Sequence, residues 1–278
     1  MLTIPIFFSL AFVIGPLAIM VVVSFWARQD FTIVPAFQIN AYAEFLGGVR
    51  TAVLQRTVLT SFLATALSLV IAYPIAYLLA RLSRPAVTRI VLLLLTIPFL
   101  INYIIRNFAW AFLLGRNGPI NHALIGLGVT DAPVDWLLYS TFSVYVGLVA
   151  SYMPFMVFPL WLSLAGIDRR LIEASYLLGA SPVATFLRVT LPLSLPGLFA
   201  AVIFALVGIL GESAVSLILG GAGYELMGNT ITSAMNVLDY PLAAAMSTVT
   251  VALMVVLLVL WYALTDIRSF LGQIMGRG

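Results

Sequence analysis

Two charges stand inside otherwise hydrocarbon stretches. Glu212 follows Gly208-Ile209-Leu210-Gly211, and Arg106 opens Arg106-Asn107-Phe108-Ala109-Trp110. A charge at the centre of a membrane span costs about 2.5–3.5 kcal/mol on insertion scales. Each should therefore face protein or water and meet a partner. Counted from Leu195 and Ile90, the two residues lie about 26 Å and about 24 Å along their helices at a 1.5 Å rise. At similar depth they suit a structural ion pair. A second reading sets the Glu212 carboxylate on a path for a cation, with Arg106 snorkelling to the outer interface. Asp239-Tyr240-Pro241 places a carboxylate and an aromatic ring at the mouth of the last apolar run. Such a pair can meet an ammonium by charge and cation–π attraction, and Tyr240 also reads as an ordinary interfacial aromatic.

No catalytic set emerges beside these. His122 is the single histidine, with no carboxylate or second histidine at metal-ligand spacing, and is read as a loop residue. The chain has no cysteine, so thiolate metal sites and cysteine nucleophiles are excluded. It has no glycine loop closed by Lys-Ser/Thr, so it does not bind ATP by that device. No enzyme activity, metal or cofactor of its own is expected, and any energy source must lie in a partner.

Between apolar runs, residues 168–197 carry a helical pattern and three arginines, Arg169, Arg170 and Arg188. Asp168 suits a helix cap at the positive end of the dipole. Leu171, Ile172, Ser175 and Leu178 recur at helical spacing, giving one apolar flank. Gly179 stops that helix, because glycine takes left-handed geometry without a Cβ clash. Ser181-Pro182 restarts it as a hydroxyl cap followed by proline. Leu191-Pro192 and Leu195-Pro196-Gly197 stop it again before the next apolar run.

This segment resembles the EAA loop of ABC-importer permeases: Glu173-Ala174-Ser175, then Gly179-Ala180, then Val189-Thr190-Leu191-Pro192, with Ser175 in place of the second alanine. The resemblance implies a coupling helix, carried by Glu173, Ala174, Ser175, Gly179 and Ala180, that sits in a groove of a cytoplasmic ATPase. The plainer reading is an amphipathic helix lying on the membrane surface.

Of the residues, 63% are hydrophobic and only 8% charged, against about a quarter charged in soluble domains. Runs of about 20 apolar residues, enough to cross a bilayer, are expected near 2–26, 57–80, 90–114, 138–166, 195–219 and 242–264. The first lacks a basic start and a small-residue cleavage site, so a retained span is expected. The chain thus reads as an all-α membrane protein, one six-helix permease domain over residues 1–278, with a coupling loop at 167–194. All thirteen basic residues are arginine, scattered with no basic run, which argues against nucleic acid. Arg81, Arg84, Arg89, Arg169, Arg170, Arg188, Arg268 and Arg277 fall on one side of the six spans. Arg28, Arg50, Arg56 and Arg116 fall on the other, diluted by six carboxylates. The first side is expected to be cytoplasmic, with both termini there. That side holds the EAA-like loop.

Within the spans, Thr57, Ser61, Thr65 and Ser68 form one small hydroxyl face suited to close helix packing. Pro154 and Pro159 should bend or locally unwind the fourth span. Residues 27–56 are expected to be an external loop with two apolar patches. Several strings are similar to the spermidine/putrescine branch of these permeases: Thr57–Thr65, Tyr73–Arg81, Ile105–Trp110, Leu114–Asn121, Tyr152–Leu160 and Asp239–Pro241. The resemblance implies one permease subunit of a type I ABC importer in the bacterial inner membrane. Its partners would be a second permease in a heterodimer, two ATPase copies and an external solute-binding protein. The cargo would be a small cation, best a polyamine, with another amine, an opine or ferric ion as alternatives. An ion-coupled carrier acting alone predicts an inverted repeat with paired broken helices, which the sequence does not display. An intramembrane enzyme would need a catalytic pair within the spans.

Overall fold

The computed structural model describes residues 3–29, 32–82 and 84–264, so Ser83, Arg268 and Arg277 lie outside the described residues. In chain order the elements are α1 (Thr3–Val23), β1 (Ala27–Gln29), β2 (Thr32–Val34), α2 (Asn40–Gly47), α3 (Arg50–Arg81), α4 (Pro85–Leu100), α5 (Tyr103–Leu114) and α6 (Pro119–Gly126). They continue with α7 (Thr141–Ala165), α8 (Arg169–Leu177), α9 (Pro182–Thr185), α10 (Leu191–Leu210), α11 (Ala214–Leu219), α12 (Met227–Asn236) and α13 (Tyr240–Leu264). A π-helical turn, Phe186–Thr190, joins α9 to α10.

Four helical stretches are long and apolar enough to cross a bilayer: Arg50–Arg81, Asp135–Ala165, Pro182–Leu210 and Tyr240–Ala263. Pro85–Pro98 and Tyr103–Gly126 together pass the same length test, but bend by 95° at the break between them. The break has local causes. Pro98 cannot donate to the carbonyl four residues back, and Asn102 takes an extended ψ of 130° and accepts from the Ile104 amide at 2.9 Å. Leu10–Val23 is apolar but shorter.

The chain divides into two compact units. In the unit of residues 1–56 and 227 onward, α1, α2 and α12 each pack on α13. Phe45, Met227, Leu242 and Met246 form its buried core. The expected loop at 27–56 is folded instead. β1 and β2 pair antiparallel, Arg28 opposite Ile33, α2 buries Phe45, and α3 already begins at Arg50. The alternation is too short and the amphipathic stretch too brief to stand out in sequence.

In the unit of residues 57–226, α7 and α10 lie along one another, and α11 packs on α5 and α7. Their close approach depends on glycine: a Cβ at Gly197 would stand 2.5 Å from the Pro159 carbonyl oxygen, and one at Gly208 would collide with the Tyr152 ring. α7 stays helical through Pro154 and Pro159, so of the bend or local unwinding expected there, the helix does not unwind. The hydroxyl face of α3 is buried along its length, Thr57, Ser61, Thr65 and Ser68 all at 4% exposure or less. His122 sits on the exposed side of α6 rather than in a loop.

Candidate functional site

The segment after α7 forms two short helices around one groove. The Asp168 carboxylate accepts from the Arg170 amide at 2.9 Å and starts α8. At the other end Gly179 takes φ +82°. Its amide donates to the Tyr176 carbonyl at 2.9 Å, and the Ala180 amide donates to the Ser175 carbonyl at 3.1 Å. These two bonds are a Schellman ending, which satisfies carbonyls that a helix terminus leaves without partners. Ser181 then caps α9 by accepting from the Ala184 amide, with Pro182 at the first helical position.

α8 buries no residue. Leu177 and Leu178 are 89% and 88% exposed, and Leu171 and Tyr176 are each 48% exposed. A groove of about 640 Å³ is lined by Leu171, Ala174, Ser175, Gly179, Ala184 and Arg188, among others. The Ser175 hydroxyl bonds the Thr185 hydroxyl at 2.9 Å and ties α8 to α9 across it. Thr185 was not foreseen, because nothing in its spacing marks it as the partner of Ser175. A Cβ at Gly179 would meet no atom within 4 Å, so within this chain only backbone geometry resists a side chain there. Glu173 is exposed on the same helix.

Behind the groove, Phe186 packs edge-on against Tyr73 and Tyr77, with ring centroids 5.8 and 6.0 Å apart. Arg81 lies 5.3 Å from the Tyr77 ring centre. Tyr73 also shares a hydrogen bond with Ser194 at 2.8 Å. The lower end of α3 is thereby fastened to the π-helical turn and to α10.

Glu212 is buried, 4% exposed, and does not lie within a continuous helix. α10 ends at Leu210 and α11 starts at Ala214. Its Oε1 accepts from the amides of Ser213, Ala214 and Val215 at 2.9–3.1 Å and from the Tyr103 hydroxyl at 2.7 Å. The Tyr152 hydroxyl lies 2.9 Å from Oε2 and 2.8 Å from the Gly208 carbonyl oxygen. The carboxylate caps α11 and pins the break to α5 and α7, and these donors replace the water it gave up.

Arg106 makes no ion pair with Glu212 within 4 Å. Its Nη1 donates to the Pro98 carbonyl at 3.0 Å, one of the carbonyls left open at the end of α4. It borders a 330 Å³ cavity with Trp110, Met153 and Pro154. Unbroken helices from Ile90 and Leu195 would bring the two charges to similar depth, but both helices are broken before the charge is reached. In the other unit, Asp239 caps α13 through the Leu242 amide at 3.2 Å and stands 3.4 Å from Arg28. Tyr240, the first residue of α13, is 39% exposed. No metal-holding cluster of three His, Cys, Asp or Glu occurs among the described residues.

Residues 64–269 match the family of binding-protein-dependent transport system inner membrane components. The chain belongs to this family. The permease is 36% identical over 255 residues to the spermidine/putrescine transport system permease protein PotB of Escherichia coli, covering 91% of this chain and 92% of that one. It is 33% identical to PotB of Haemophilus influenzae over 266 residues, 94% and 92% of the two chains. Its fold matches a chain in the crystal structure of a bacterial alginate ABC transporter in complex with alginate pentasaccharide-bound periplasmic protein. The TM-score is 0.72 at 14% identity, over 96% of the permease and 92% of that chain.

Proposed function

We propose that the permease is one membrane-spanning subunit of an ATP-driven ABC importer, and that its cargo is a small polyamine cation of the spermidine/putrescine class. The observation that carries the importer reading is α8: an amphipathic helix with no fully buried residue, its Leu177 and the following Leu178 almost wholly exposed, ended by a left-handed glycine with no atom of its own chain near a Cβ. A surface built this way needs another protein to cover it, and the EAA-like residues Glu173, Ala174, Ser175, Gly179 and Ala180 all lie on it or at its turn. The cargo reading is supported by the two PotB relatives, each matched over more than nine-tenths of the permease.

In this reading the permease hydrolyses nothing. Two copies of a cytoplasmic ATPase bind ATP and seat α8 in their grooves, a second permease completes the pathway, and an external binding protein delivers the cargo. The complexed alginate transporter supports the last of these. The six spans form one permease domain in the bacterial inner membrane, α1 and the bent α4–α5 pair supplying the two beyond the four long helices. Both termini and the 167–194 loop lie in the cytoplasm, as the arginine bias favours. Reconstituting the permease with its sister subunit, the ATPase and the binding protein into proteoliposomes tests this. Spermidine uptake should require ATP on the ATPase side and should vanish without the ATPase. Uptake that persists without the ATPase would defeat the importer reading, and ATP-driven uptake of another solute alone would defeat the cargo.

A further inference from the structure

On the face opposite the α8 groove in chain topology, an open groove of about 590 Å³ lies between the entrance to α7 and the turn after α11. Tyr139, Ser140 and Thr141 form one wall, and the glycine-rich turn 220–223 with Tyr224 forms the other. Its size falls in the usual range of small-ligand sites.

Tyr139 has φ +55°, a backbone region that bulky residues rarely enter. Glycine would sit there without strain, yet the chain carries an aromatic ring, and that ring is 67% exposed. Such an outlier points towards a use for the side chain. Opposite it, Gly221 has φ +67°, and a Cβ there would stand 3.1 Å from the Tyr139 ring, so the turn is kept bare beneath the tyrosine. The Tyr224 hydroxyl bonds the buried Thr60 hydroxyl at 2.8 Å, which fixes its ring at the groove edge. The Ser140 hydroxyl is committed to the Ser143 amide as the cap of α7. The groove is lined by two aromatic residues, two hydroxyl residues and a glycine-rich turn, with no charged residue among them. Along the chain, the segments that lead into the two walls, 115–140 and 220–226, carry Asp131, Asp135 and Glu225 against one arginine, Arg116. Arg116 and Asp135 are 3.4 Å apart. Net negative charge on these segments raises the local concentration of cations, and ring faces suit an ammonium group.

We propose that this groove receives the primary ammonium end of an aliphatic polyamine on its way into the membrane. The assignment rests on the cargo reading above and adds a place of first contact to it. The test uses the whole reconstituted importer, spermidine as probe, and Tyr139→Leu, Tyr139→Phe, Tyr224→Leu and Tyr224→Phe variants, with spermidine-loaded binding protein titrated to saturation. Tyr139→Leu and Tyr224→Leu should each lower saturated uptake about three- to fivefold, as loss of a cation–π contact at an exposed site implies. Tyr139→Phe should stay within about twofold of the parent, because the ring face remains, whereas Tyr224→Phe also frees its ring from Thr60 and should fall between the parent and Tyr224→Leu. Basal ATP hydrolysis and assembly should be unchanged in both Tyr139 variants. Saturated uptake by Tyr139→Leu equal to the parent's would overturn the site while leaving the cargo reading intact. So would a defect that more binding protein cures, which would make the groove a docking surface for that protein. A parent complex that moves no polyamine would overturn the cargo reading and the site's ligand together.

Discussion

Gly179 is held at φ +82° with nothing of its own chain near the position of a Cβ. Valine there should cost about 1–2 kcal/mol from left-handed geometry alone. Asparagine tolerates that geometry, so the pair separates conformation from contact. We expect Gly179→Val to abolish ATP-driven uptake and weaken ATPase retention, with the sister permease still bound. If Gly179→Asn is equally inactive, a partner surface excludes the side chain; if it recovers, the turn itself is what matters. Glu173→Ala should be milder, since it removes one exposed polar group. Glu212 makes a separate prediction. Tyr103→Phe and Tyr152→Phe each remove a hydrogen bond to a buried carboxylate, worth about 1.5–3 kcal/mol. Each should lower the thermal midpoint of the detergent-solubilised complex. Glu212→Ala should lower it further, because three amides lose their acceptor together. Unchanged midpoints in both tyrosine variants would show that the carboxylate is not held by them.

The two short helices α8 and α9 are joined to the long spans at one ring. Phe186 touches both Tyr73 and Tyr77 near the end of α3. Phe186→Ala should leave α8 able to bind the ATPase but loosen its grip on α3, so ATP hydrolysis should continue while spermidine uptake per ATP falls several-fold. Normal stoichiometry in that variant would remove Phe186 from the transmission route. The ends of these helices were legible because capping is local: Asp168, Gly179 and Ser181-Pro182 each act within a few residues. The hydroxyl face from Thr57 to Ser68 was legible for the same reason, since helical spacing alone places it on one side. The two side-chain partners of Glu212 were not legible. They come from residues 109 and 60 positions away, and two breaks redirect the helices between them. The fold of residues 27–56 was hidden because strands of three residues carry almost no periodic signal.

Across the whole molecule, the absence of native cysteine permits single-cysteine mapping of topology. Asn121 is a poor reporter position, since it is fully buried and holds Val134 through its side chain. His122 and Ala222 are exposed, and cysteine at either should react with an impermeant thiol reagent added outside cells. Cysteine at Ser181 should not; labelling there would reverse the proposed orientation. The collar around Glu212 also has a consequence for biosynthesis. Tyr103 and Tyr152 are synthesised before Glu212, so both hydroxyls are already in the bilayer when the carboxylate leaves the ribosome's exit path. The carboxylate then finds its donors waiting and need not meet lipid bare. A circular permutant that starts at Leu191 would reverse that timing. It should be inserted less completely and degraded faster than the natural order, and Glu212→Gln in the permutant should restore part of its yield.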